Sequence, residues 1–214
     1  MKEKIDLKAL SKKERVEYIW DYYRYHIVLT ILAVVCVAAF VVRQVNYRPP
    51  QMEIIMVNAG VMRSEIGDSF DEFLELYGYE NYEDAVYVDT SLYIKGDVAD
   101  SEVYQVLSVI LASGSRDMLF APEEVFLAYA YQGAAADISK LLSEELLEKF
   151  ADQLVYVEKL DGSGTYPCGI RLVDHPWMSA QGYYPTGECF VGVLNLAKNP
   201  EIAADFLRYL LNVE

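Results

Sequence analysis

The sequence lacks most of the residue patterns that catalytic and metal sites need. Its 214 residues include only two histidines, His26 and His175, so a His-based triad or metal centre is excluded except around His175. Phosphate-binding glycine motifs, EF-hand loops and His/Cys clusters are missing. Gly162-Ser163-Gly164 lacks the strand-to-helix setting of a nucleophile elbow. We therefore expect a protein that is not an enzyme and that binds neither a metal nor a cofactor.

Positive charge is scarce beyond the N-terminal region. Residues 44–214 carry 28 of the 33 acidic side chains but only ten of the 18 basic ones. Such a body repels nucleic acids and anionic lipids, so we expect no nucleic-acid partner. Residues 1–25, in contrast, carry seven lysines and arginines.

Cysteine is also rare, with three in the chain. Cys36 lies in a hydrophobic run that is interpreted below as a membrane-spanning helix. This leaves Cys168 and Cys189 as the pair that can be exposed to an environment where disulfides persist. They flank two apolar runs, residues 169–173 and 190–194, which we interpret as neighbouring strands. The sequence is compatible with a Cys168–Cys189 disulfide or with two unpaired core thiols.

The most informative feature that is present is a run of 16 uncharged residues, from 27 to 42. At 1.5 Å per residue it covers about 24 Å of the roughly 30 Å hydrocarbon layer of a membrane. Aromatic residues before the run, and Arg24 and Arg43 at its ends, extend it to both interfaces. We therefore predict one membrane-spanning helix over residues 22–45.

The charges around this helix predict its orientation. The positive-inside rule places residues 1–21 in the cytoplasm as a basic tail and the C-terminal domain outside it, so we expect a single-pass protein of the cell membrane. A cleaved or lipidated signal and a buried core helix are the alternatives. Residues 40–43, Phe-Val-Val-Arg, lack the small residues of a cleavage site, which favours a retained anchor.

The rest of the chain reads as a linker and one α/β domain. Arg48-Pro49-Pro50 cannot continue a helix, so residues 46–51 are expected to be extended. Residues 52–214 are enough for one compact domain. Buried-strand patterns alternate there with amphipathic helix patterns, which indicates βαβ units and a mainly parallel sheet flanked by helices on both faces.

Two stretches resemble bacterial extracellular solute-binding proteins of ABC transporters. Residues 117–133 followed by 136–142 read as a strand, a short acidic turn, a helix, a glycine and an Asp-Ile-Ser helix start. Residues 191–210 read as a strand and a Lys-Asn-Pro-capped helix rich in Ala, Phe and Leu. The resemblance implies one periplasmic-binding-protein-like lobe. Family members close two lobes around a ligand, whereas this chain has room for one.

In open α/β sheets, ligands bind outside the carboxyl ends of the strands. The predicted strand ends, and an aromatic loop suited to stacking on a sugar or packing on a protein, supply the candidate contacts. These are Asn58, Glu123, Glu124, Trp177, Tyr183 and Tyr184. Ordinary turn and capping chemistry is the alternative for the first three residues, and core packing is the alternative for the aromatic ones.

Two functional hypotheses follow. The first is a non-enzymatic, membrane-anchored extracytoplasmic protein whose solute-binding-like lobe is an accessory or interaction component of an envelope complex, with a protein partner or a second copy bound. The second is a module that captures a small ligand, a sugar or a peptide, by pairing with another lobe or subunit. A single lobe cannot bury 70% or more of a small ligand's surface as a closed cleft does, which favours the first.

Overall fold

A computed structural model of the chain describes residues 11–60, 66, 69–94, 102–184 and 187–212. The chain divides into two compact units between Arg48 and Pro49. This boundary lies inside the predicted linker of residues 46–51. Residues 1–10 of the predicted basic tail lie outside the described residues.

The first unit contains one long helix, α1 (Lys12–Asn46), of 35 residues. Its segment Trp20–Asn46 contains an 18-residue stretch with a mean hydropathy of 2.6 and is long and apolar enough to cross a membrane. These 27 residues extend over about 40 Å, and none of their most apolar stretch is buried. A membrane anchor and an N-terminal signal sequence both fit this length and composition.

The second unit alternates strands and helices. The strands are β1 (Met52–Met56), β2 (Val86–Asp89), β3 (Met118–Ala121), β4 (Leu154–Glu158), β5 (Thr165–Val173) and β6 (Glu188–Val193). The helices are α2 (Asp71–Tyr77), α3 (Glu102–Ala112), α4 (Glu123–Ala130), α5 (Glu144–Lys149), α6 (Pro176–Gln181) and α7 (Pro200–Asn212). Short 3-10 turns at Ile138–Lys140 and Ala151–Gln153 flank α5.

The six strands form one mixed sheet in the order β2-β1-β3-β6-β5-β4. β1 is parallel to β2 and β3, whereas β6 is antiparallel to β3 and β5, and β4 is antiparallel to β5. The predicted α/β class is confirmed, but the expectation of a mainly parallel sheet is wrong. The reason is that β5 forms a hairpin with β4, closed by a 2.8 Å bond from Lys159 N to Gly164 O, and that β6 pairs antiparallel with both β3 and β5.

Helices cover both faces of this sheet. Side chains of α2, α6 and α7 pack in one hydrophobic cluster, and those of α3 and α4 pack in another. β1 contributes to both, with Ile54 in the first cluster and Ile55 in the second. A strand that is buried on both faces has no side in contact with water, which explains the nearly continuous apolar sequence of β1.

A bulge in β5 changes the direction in which Cys168 points. Val155 of β4 pairs with Gly169, and the next residue, Tyr156, pairs with Pro167, so Cys168 is the extra residue. Cys168 therefore packs in the cluster beneath α3 and α4, whereas Ile170, two residues later, packs in the opposite cluster.

The Cys168–Cys189 disulfide, one of the two states that the sequence leaves open, does not form in this structure. Cys168 and Cys189 are both free and buried, and they belong to clusters on opposite faces of the sheet. The Cys168 thiol lies 3.3 Å from Val155 O, and the Cys189 sulfur lies 3.3 Å from the sulfur of Met178. The alternative of two unpaired core thiols describes the structure.

Two glycines allow α4 to approach the sheet closely. A Cβ atom on Gly169 would lie 2.6 Å from the Phe126 ring, and one on Gly192 would lie 2.9 Å from it. The same atoms would also meet the main-chain oxygens of Val191 and Cys168 at 2.5 and 2.7 Å. The Phe126 ring therefore packs directly on the backbone of β5 and β6.

One buried carboxylate ties the strands together. Asp117 is only 1% exposed, and its side chain accepts hydrogen bonds from Glu53 N at 2.8 Å and from Asn199 N at 2.9 Å. Its main chain bonds to Glu53 O and to Leu194 N. Asp117 thus joins β1, the start of β3, the end of β6 and the residue before α7.

The change Asp117→Asn should destabilise this domain. An amide has one oxygen to offer, so its NH2 group would face one of the two partly buried N–H donors, Glu53 N or Asn199 N. We expect a loss of about 2–3 kcal/mol in the free energy of unfolding, measured by urea denaturation of residues 49–214. The exposed Asp152→Asn is the control. Equal stability of the two variants would contradict this role for Asp117.

Candidate functional site

Asn58 follows β1 and holds a neighbouring segment in place. Its backbone is left-handed, with a φ of 59°, a conformation that asparagine tolerates. Its side-chain oxygen accepts from Ile94 N at 2.6 Å, and its side-chain nitrogen donates to Ile94 O at 2.9 Å. Both polar atoms of the side chain are thus engaged within the chain, as the alternative of turn chemistry predicts.

Glu123 and Glu124 lie where the sequence predicts, at the carboxyl end of β3. They form the first turn of α4, and both are exposed. Carboxylates are favourable at this end of a helix because its dipole is positive there. Nearby, Arg171 of β5 donates to Glu188 of β6 at 2.5 Å. The Glu188 carboxylate raises the pKa of Arg171, and Glu123 adds to this effect.

The three predicted aromatic contacts are core residues. Trp177, Tyr183 and Tyr184 are 5%, 1% and 7% exposed. The Trp177 ring lies 5.4 Å from the ring of Phe70 and 5.3 Å from that of Phe206, measured between centroids. Their faces are covered by the protein, which corrects the expectation that they stack on a sugar or pack on a partner.

Polar atoms of these rings bond to the loop regions that follow β1. Trp177 Nε1 donates to Ser69 O at 3.2 Å, and the Tyr183 hydroxyl donates to Ser69 Oγ at 2.6 Å. The Tyr184 hydroxyl donates to Val57 O at 3.1 Å, and Tyr183 O accepts from Gly60 N at 2.7 Å. On this face of the sheet, the crevice expected beyond β1 is therefore filled by the chain's own side chains.

An ion cluster that sequence reasoning missed lies on the opposite face. The Arg116 guanidinium is 2.9 Å from Glu53 Oε2 and 3.1 Å from Asp89 Oδ2, and it lies 5.0 Å from the centroid of the Tyr87 ring. Burial raises the pKa of Asp89, but hydrogen bonds from Ser91 and the charge of Arg116 outweigh burial, so this pKa is lowered. The signal for this cluster in the sequence is Glu53, the one charged residue of the apolar strand β1.

The ion cluster connects β1, β2 and Arg116, two residues before β3, and its role is structural. The guanidinium pairs with both carboxylates, and removal of Arg116 would leave two partly buried negative charges without a partner. Among the described residues, no group of three or more His, Cys, Asp and Glu side chains is arranged to hold a metal ion.

His175 is the one histidine of the second unit, and it contacts α7. Its Nε2 lies 2.8 Å from Leu210 O, so this nitrogen carries the proton. Its Nδ1 is buried and has no hydrogen-bond partner among the described residues. Burial lowers the pKa of His175, while the bond to Leu210 opposes this effect. Protonation would leave a buried N–H without an acceptor.

The candidate residues therefore do not form one site. Asn58 and Tyr184 both lie at the end of β1, since the Tyr184 hydroxyl bonds to Val57 O, next to Asn58 in the chain. Glu123 and Glu124 instead lie exposed at the end of β3. No family model, no curated protein and no solved structure matches this chain. The resemblance to solute-binding proteins stays a prediction from the sequence.

We expect His175 to make stability depend on pH. Because its pKa is lower in the folded state, the unfolded chain binds more protons below about pH 6.5, and stability falls as the pH decreases through the folded pKa. Urea denaturation of residues 49–214 at pH 7.5 and pH 5 measures the loss. His175→Gln keeps a donor for Leu210 O but does not titrate, so its loss should be smaller. An equal loss would exclude this role for His175.

Proposed function

We propose that this chain is a non-enzymatic, membrane-anchored protein whose C-terminal domain acts outside the cytoplasm as an accessory or interaction component of an envelope complex. The observation that carries the proposal is the filled crevice. Trp177, Tyr183 and Tyr184 occupy the place where a ligand of an open α/β sheet binds, and each is bonded to the loop regions after β1.

The first support is the apolar helix. Valine, leucine and isoleucine side chains between Val28 and Val42 are 50% or more exposed within the chain. A helix that is apolar on all sides needs a hydrocarbon environment or a partner to cover it. Seven basic residues precede it and an acidic domain follows it, which is the charge asymmetry of an N-terminus retained in the cytoplasm.

The second support is the energy needed to open the crevice. A small ligand would have to displace Trp177 and Tyr183 from the core. Loss of the packing of one buried aromatic side chain costs about 3–5 kcal/mol. Binding would have to offset this cost for each ring that moves, whereas an interaction at an outer surface leaves the core unchanged.

The predicted topology can be tested by thiol labelling of the full chain with Cys36→Ala. Cys168 and Cys189 should stay unreactive, because both are buried and burial raises the pKa of Cys168 to about 12. Leu160→Cys, at a position that is 77% exposed, should react with a membrane-impermeant maleimide on intact spheroplasts. Ser11→Cys should react only after lysis. The reverse pattern, or release of the protein by alkaline carbonate, would overturn the proposal.

The alternative of solute capture with a second lobe is supported by the exposed polar groups at the end of β3. Thermal unfolding of the full chain distinguishes the two, since a ligand at 100 times its dissociation constant stabilises by about 2.7 kcal/mol. We expect no shift with sugars, amino acids or peptides. A saturable shift that Glu123→Gln removes and that the exposed control Glu145→Gln retains would instead establish the alternative.

A further inference from the structure

Helix α3 presents an apolar face to solvent. Its inner side chains Leu107 and Leu111 are buried against the sheet, but Val106 is 49% exposed and Val109 is 70% exposed. The helix carries no charged residue after Glu102, its first residue. Exposed apolar faces on a water-soluble surface commonly mark contact sites.

The exposed valines continue a band of aliphatic side chains that begins at the edge of the core. Successive residues of an α-helix are rotated by about 100°, so Val103, Ile110, Val106 and Val109 follow one another around one side of α3. Val103 and Ile110 are half-buried at the edge of the core, and the last two reach the outermost side. These four residues are here called the α3 band.

The exposed faces of α2, α4, α5 and α7 are acidic, whereas the short helix α6 exposes the uncharged Pro176, Ser179 and Ala180. The exposed carboxylates on the four acidic faces include Glu72 and Glu75 on α2, Glu123 and Glu124 on α4, Glu144, Glu145 and Glu148 on α5, and Glu201 on α7. Two copies that met through any of these faces would bring like charges together, which opposes association. The α3 band is a surface where two copies of this acidic domain can touch without that repulsion.

We infer that the α3 band is the surface through which two copies of this chain pair. The inference rests on the proposed function, because anchors that confine both copies to one membrane raise their effective concentration, and a small apolar contact then suffices. A face that is uncharged and made of similar aliphatic side chains is self-complementary, as a two-fold contact requires.

A lipid surface fits the α3 band less well than a second copy. Helices that lie on membranes combine an apolar face with lysines, arginines and aromatic anchors. α3 contains no lysine or arginine, and its one aromatic residue, Tyr104, stacks on Tyr129 of α4 at 4.8 Å between ring centroids.

Crosslinking of the full chain tests the pairing. Val109→Cys in a Cys36→Ala background, placed in vesicles at low protein density, is treated with a flexible bismaleimide. We expect a product of twice the 24.3 kDa chain mass. Leu160→Cys is the matched control, since it is at least as exposed but lies on the β4–β5 hairpin. It should give several-fold less product.

A second pair of variants separates pairing from random collision. With Val106→Cys as the reporter, Val109→Glu should reduce the crosslinked product several-fold, whereas Leu160→Glu should leave it unchanged. Equal crosslinking at Val109→Cys and Leu160→Cys, or none at Val109→Cys, would overturn the pairing. If the thiol labelling of Leu160→Cys and Ser11→Cys still gave the expected topology, the proposed function would stand without it.

Discussion

The carboxylate of Asp117 is the point on which the two halves of the sheet depend. β2, β1 and β3 run parallel, whereas β6, β5 and β4 run antiparallel to their neighbours, and Asp117 lies where these halves join. Its two oxygens accept main-chain N–H groups from Glu53, in β1, and from Asn199, just before α7. Both bonds are partly buried, and an N–H group left without an acceptor there costs more than the bond itself contributes. The bond to Asn199 ties the start of α7 to β1 and to the start of β3.

The two faces of the sheet are packed in different ways. On the α7 face, Trp177 and Tyr183 belong to the core, and both bond to Ser69 in the region that follows β1. On the other face, the Phe126 ring rests on the glycines of β5 and β6, and α3 packs beside it with its valines turned outward. The proposed function and the proposed pairing both rest on this difference between the two faces.

Some elements followed directly from the sequence. Gly78 ends α2 in a left-handed conformation, with a φ of 73°, and Pro200 begins α7, as their positions in the sequence predict. Two expectations failed for reasons that lie outside any local pattern. The bulge at Cys168 reverses the alternation of β5, so spacing could not reveal which face each cysteine occupies. The aromatic residues after Pro176 have the composition of a binding loop, but only the fold shows that they are buried and that Phe70 and Phe206 pack on Trp177.

The sequence by itself determined the apolar N-terminal helix, the acidic character of the body and most strand and helix positions, because these depend on composition, periodicity and capping over a few residues. The tertiary structure alone decided the strand directions, the free state of the thiols, the ion cluster around Arg116 and the burial of the candidate contact residues. Strand pairing and burial depend on contacts between residues far apart in the chain. Arg116 meets Glu53 across 63 positions, and no local pattern contains that distance.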